Sequence, residues 1–187
     1  MYIAMLIYLQ NMLKTKIDTF IYLVDHNPEL TNEIHKSIDN QERYSIKSFT
    51  SGEKFIGHIK KIKFSRDDIH MVFLGYKYFD EGNNTLMNGI EILETTKAIN
   101  KEIEVVMLVG SDEGSYGSYV MKCGAYTFIP KNENVHLRIN NIIMGIISQK
   151  RLAQKRRSFQ IALKIISGYI LLVIIIWVVY RVFFYKL

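Results

Sequence analysis

From Ile165 to Tyr180 the chain reads IISGYILLVIIIWVVY without a charge, and an apolar VFF follows Arg181. At 1.5 Å per residue, a helix over positions 165–184 is about 30 Å long, the thickness of a bilayer's hydrocarbon core. A helix packed on a soluble domain shows a polar stripe, and this run is apolar on every face, which predicts a membrane span over 165–185. Trp177, Tyr180 and Tyr185 supply aromatic material toward the far interface, where Arg181 and Lys186 can snorkel to the headgroups.

The charge distribution follows from that run. Of the 24 Lys and Arg, eight lie from Lys150 onward, with no Asp or Glu among them, which leaves 16 basic and 18 acidic side chains in residues 1–149, a net charge of −2. The overall charge of +6 therefore reports the flank of an apolar segment, and nucleic-acid binding is not expected. Lys150, Arg151, Lys155, Arg156, Arg157 and Lys164 precede the span while Arg181 and Lys186 follow it, so the N-terminal side is expected in the cytoplasm. The segment 149–164 reads as a basic juxtamembrane helix, able to bind anionic lipid headgroups.

The single Cys123 excludes a disulfide scaffold and suits a small apolar residue in a core helix. At the other end, MYIAMLIYLQNML is apolar but lacks a basic n-region and a cleavage site, and it is too short to span. Residues 1–17 are therefore set apart as an N-terminal extension. Their first eleven positions read either as an extra apolar arm or as an upstream start before Met12.

Between Phe20 and about Ser148 the periodicity alternates. Strands are expected at FIYLV (20–24), YSIKSF (44–49), MVFL (71–74), EVVML (104–108) and AYTFI (125–129), and helices at 28–40, 51–62, 88–101, 114–123 and from 134 onward. Asn27-Pro28 is a helix start, with Asn as cap and Pro in the first turn, and Ser51 opens the second helix in the same way. Strands such as MVFL, apolar on both faces, predict a doubly wound α/β fold with a parallel sheet covered on each side. For the order 2-1-3-4-5 the functional crevice lies at the carboxyl ends of the strands, which points to Asp25-His26, Gly75-Tyr76, Val109-Gly110 and Lys131.

Over residues 18–148 the segments LVDHNPEL (23–30), FTSGEKFI (49–56), VFLGYKY (72–78), NGIEIL (88–93), VVMLVGSDE (105–113) and MKCGAYTFIPKNE (121–133) resemble the receiver domain of two-component response regulators. The Gly-Ala pair, aromatic and following lysine, with Asn-Glu after it, are similar to the single-receiver regulators of Bacteroidetes. The resemblance implies the flavodoxin-like (βα)5 fold of CheY-like domains. It also implies a Mg²⁺ site built from an acidic pair after the first strand and an aspartate after the third, the latter accepting a phosphoryl group from a histidine kinase.

Position by position, Asp25 matches the first acid, Lys131 the lysine that contacts phosphoryl oxygens, and Phe128 the aromatic switch. Three positions depart from the pattern. His26 replaces the second acid, Gly75 the phospho-acceptor and Val109 the hydroxyl-bearing switch residue. Gly75 can form no acyl phosphate, His26 is a poor donor for hard Mg²⁺, and Val109 has no hydroxyl to offer a phosphoryl oxygen. No cofactor is expected, and Asp25 and Lys131 are read as a vestigial pocket joined by an ion pair. Lys131 is followed by Asn132 where the family usually has a proline, so a reshaped trans turn is expected there. Asp80 and Glu81 in the long loop are the alternative acceptor carboxylates, and GSYG at 114–117 lacks the Lys-Ser/Thr of a phosphate loop.

The expectation is a non-enzymatic pseudo-receiver at a bacterial inner membrane, single-pass and with its domain cytoplasmic. It would act by phosphorylation-independent binding to a protein partner there, either a histidine kinase or another regulator. The alternatives are a phosphorelay regulator with an atypical acceptor, and a scaffold subunit of a membrane complex.

Overall fold

The computed structural model describes residues 19–75, 87–110, 117–131 and 134–184. Five strands, β1 (Thr19–Val24), β2 (Tyr44–Phe49), β3 (Ile69–Gly75), β4 (Glu104–Val109) and β5 (Thr127–Pro130), pair in parallel in the order β2-β1-β3-β4-β5. Helices α1 (Pro28–Ser37), α2 (Gly52–Ile59), α3 (Gly89–Ile99) and α4 (Gly117–Lys122) connect them, and α5 (Val135–Phe184) follows β5. This is the flavodoxin-like (βα)5 topology, with a single C-terminal helix long and apolar enough to cross a membrane among the described residues.

Burial explains the strand order. Every residue of β3 is buried, as a central strand covered on both faces requires, whereas β2 at the edge has no fully buried residue. Val72, Leu74, Val105, Met107 and Val109 form the inner layer against Phe55, Ile59, Ile92 and Leu93 of α2 and α3.

The helix starts obey local chemistry. The Asn27 side chain accepts from the N–H groups of Glu29 and Leu30 with Pro28 opening α1, and Ser51 accepts from Lys54 at the start of α2. Asn88 and Glu91 form a reciprocal capping box at α3. Gly124 takes φ 97° as the chain leaves α4, a left-handed conformation that favours glycine. The Ala125 N–H then closes onto the Val120 carbonyl. This tight turn delays β5 to Thr127, two residues beyond the expected start at 125. A short 3₁₀ turn at Gln41–Arg43 leads into β2 and was not anticipated from the sequence.

The chain divides into two compact units between Ile146 and Ile147. In the first, Ile139, Ile143 and Ile146 of α5 are buried and form an apolar stripe at helical spacing. Asn140 ties the end of α1 to this helix, donating to the Ser37 carbonyl and accepting from the Asp39 N–H. In the second unit, every side chain from Lys155 to Val182 is exposed.

Register places Phe20 opposite His70, and the His70 ring stacks on Phe20 at 4.7 Å and meets the edge of Phe64 at 4.9 Å. His70 shares a hydrogen bond with the Tyr22 hydroxyl at 3.1 Å, while its Nε2 has no partner among the described residues. Burial pushes the His70 pKa down to about 4 and, with the nearby charge of Asp68, pushes Tyr22 up to about 12. Between pH 6.5 and 4 the unfolded chain binds a proton that folded His70 refuses, so stability falls through that window as pH drops. The loss amounts to about 3 kcal/mol at most. Urea denaturation across this range should show a flatter acid limb for His70→Leu than for the natural chain.

Candidate functional site

The crevice is built at the carboxyl ends of the strands, where the sequence places it. β1 ends at Val24, and the next residue, Asp25, extends the ladder by donating its N–H to the Phe49 carbonyl at 3.1 Å. Its side chain is completely buried. Oδ1 accepts from the Asn27 N–H at 2.9 Å and lies 3.2 Å from His26 Nδ1. Oδ2 accepts from Lys131 Nζ at 2.7 Å. Both oxygens of this carboxylate are thus engaged by groups of the chain itself.

Lys131 reaches Asp25 from the far edge of the sheet. Its own N–H donates to the Val109 carbonyl at 2.7 Å, which continues the β4–β5 ladder one residue past Pro130. Between β1 and β5 lie β3 and β4, which end at Gly75 and Val109. A Cβ placed on Gly75 would overlap Asp25 Oδ2 and come within 2.9 Å of its Cγ. The Asp25 carboxylate therefore occupies the volume into which any side chain at position 75 would start to grow. Val109 is 1% exposed and presents only methyl groups.

The arrangement brings Asp25, His26, Gly75, Val109 and Lys131 together and places Phe128 on the neighbouring surface. Phe128 is 36% exposed, and its ring covers Gly117 so closely that a Cβ there would run into it. Asp80 and Glu81, residues 114–116 of the GSYG segment, and Asn132 after Lys131 lie outside the described residues, as do the N-terminal positions 1–18. The contact of Asp25 with Gly75 was missed in the sequence, where nothing in the spacing of two strand ends reveals which way a carboxylate leans.

As a donor set for Mg²⁺, the described residues fit poorly. They offer one carboxylate, already bonded to an ammonium, and an imidazole where a hard cation takes oxygen. Among the described residues, no group of three or more His, Cys, Asp or Glu converges to hold a metal ion. Chemically, the cluster is a buried anion neutralised by a lysine, with a half-exposed imidazole beside it.

Comparison with known proteins reaches only through structure. No protein-family model matches the sequence, and no curated protein does. Among solved structures, the chain is similar to a signal receiver domain of a Luxo repressor protein from Vibrio parahaemolyticus, at 17% identity and a TM-score of 0.60, covering 74% of this chain and 96% of that one. It is similar to a CheY-like response regulator receiver domain from Methanospirillum hungatei, at 17% identity and a TM-score of 0.57, over 72% and 98% of the two chains. A structure named adenylate cyclase, from Rhodopirellula baltica, matches at 18% identity with a TM-score of 0.59, over 76% and 97%. At these identities the likeness establishes the receiver fold, and the chemistry of the crevice rests on its own residues.

Replacing Lys131 with Met would leave the Asp25 carboxylate buried without its cation, a loss of about 3 kcal/mol. Asp25→Asn combined with Lys131→Met removes both charges and should recover most of that loss. A double-mutant cycle by chemical denaturation measures the coupling directly.

Proposed function

We propose that this chain is a degenerate receiver, a signal-transduction domain that works through protein recognition and not through phosphorylation. The observation that carries the reading is the Asp25 carboxylate bonded to Lys131 and lying over Gly75. In the receiver family these positions serve phosphoryl transfer. Here the acceptor position has no side chain, its volume is filled, and the lysine is already satisfied. Neither Mg²⁺ nor another cofactor enters this reading, and no catalysis is assigned.

The domain organisation in this reading has an extension over 1–17, a receiver-like domain over 18–148, a basic juxtamembrane helix over 149–164 and a transmembrane helix over 165–185. The supporting features are the uncharged run from Ile165 to Tyr180 and the exposure of every residue in it. The excess of Lys and Arg before that run supports a domain on the cytoplasmic side of a bacterial inner membrane. The partner is a protein at that membrane, a histidine kinase or another regulator. Exposed apolar side chains suited to recognition lie on α4 and β5, where Tyr119 is 51%, Met121 44% and Phe128 36% exposed.

The test is amide NMR of the purified chain in micelles during titration with Mg²⁺ and then beryllofluoride. Asp25, Gly75 and Lys131 should show no saturable shift at millimolar Mg²⁺, and acetyl phosphate should add no phosphoryl mass. Saturable shifts at those residues, or an acyl phosphate on any carboxylate, would show that phosphotransfer chemistry persists.

A further inference from the structure

Resting on the membrane-spanning reading above, we infer that residues 151–157 form a collar that binds the headgroups of anionic phospholipids. Arg151, Lys155, Arg156 and Arg157 are exposed side chains of the helical second unit. Successive helical residues are turned by about 100°. Arg151 and Lys155, four apart, therefore share a face, while Lys155, Arg156 and Arg157 point to three different sides.

That placement discriminates between two ways of meeting a membrane. A helix lying in the interface gathers its basic residues on one face and its apolar residues on the other. Here the charges encircle the axis, and the apolar run after them encircles it too, the arrangement of a helix that passes through the headgroup layer. Depth agrees with this. Exposed apolar side chains resume at Phe159 (64%), Ile161 (54%) and Leu163 (50%), and Phe159 is only about 3 Å along the axis from Arg157. The collar then sits at phosphate level, and Lys164 snorkels back from the hydrocarbon edge.

Partner chemistry follows from sign and shape. From Lys150 to Leu187 the sequence holds eight Lys or Arg and no Asp or Glu. Arg156 and Arg157 adjoin Leu152 and Ala153 on the surface of this helix. Guanidinium groups bind phosphate oxygens in bidentate fashion, and the neighbouring aliphatic side chains suit the glycerol and upper acyl region of the same lipid.

The experiment reconstitutes the full chain into vesicles of phosphatidylcholine, alone or mixed with phosphatidylglycerol, and measures the relative association of spin-labelled versions of the two lipids. The natural chain should prefer phosphatidylglycerol by about fivefold or more at low salt, and the preference should shrink as NaCl is raised. Replacing Arg151, Lys155, Arg156 and Arg157 together by Gln, which keeps helix propensity, should bring the preference close to one, and replacing the three arginines by Lys should retain most of it. Equal association of both lipids with the natural chain, or a preference unchanged in the Gln variant, overturns the collar. Flotation with neutral vesicles after alkaline extraction is measured in parallel. A chain that floats there without lipid preference overturns the collar alone, whereas one that does not float overturns the span beneath it.

Discussion

A fully buried carboxylate needs a counter-charge, and in this chain the counter-charge arrives from the opposite side of the sheet. Asp25 follows β1 and Lys131 follows β5, with the ends of β3 and β4 between them. The ammonium reaches the carboxylate because the Lys131 N–H is held on Val109 and because Gly75 leaves open the space above β3. Two departures from the receiver pattern, Gly75 and Val109, thus share one physical setting with the matching pair Asp25 and Lys131. Gly75 makes room for Asp25, Asp25 holds Lys131, and Val109 presents a surface of methyl groups where a hydroxyl would have faced a phosphoryl oxygen. Restoring one of these positions alone would disturb the others, since a carboxylate at 75 would enter space that Asp25 already fills and place two like charges side by side.

Much of the fold was legible because its signals are local. Asn27-Pro28 and Ser51 mark helix starts through hydrogen bonds spanning three residues or fewer, and a strand as apolar as β3 reads as central. The Gly-Ala pair near 124 also proved mechanical, since a positive φ at Gly124 lets Ala125 turn back onto α4. What remained illegible involves distance along the chain. That His70 stacks on Phe20 depends on a strand register 50 residues apart, and the lean of Asp25 over Gly75 depends on the same pairing. The identity of each crevice residue was readable, but the bond from Asp25 to Lys131 was only an expectation until the geometry gave it at 2.7 Å.

Along α5 the side-chain pattern changes while the backbone does not. Near its start, Ile139, Ile143 and Ile146 are buried and their neighbours Asn140 and His136 are tied to Ser37. Past Lys155 the helix has no buried face, and from Phe159 its surface is largely apolar. Water does not stabilise the twelve exposed apolar residues in a row from Tyr169 to Tyr180, and such a surface is satisfied by lipid or by other helices. The segment ahead of it, from Lys150 to Lys164, carries six basic side chains and no Asp or Glu.

A receiver that relies on phosphorylation stores its signal in a covalent bond, and its location is secondary. A receiver whose pocket is closed by its own lysine has no such variable, so on the proposed reading its output depends on which partners are near it and at what concentration. Attachment to a bilayer acts on that quantity. Confinement to a surface raises the effective concentration of any partner held on the same surface, and it can do so without a new contact between the two proteins. On the proposed reading, a crevice without acceptor chemistry and an apolar helix are complementary features, the first leaving no regulation by covalent modification and the second supplying regulation by proximity.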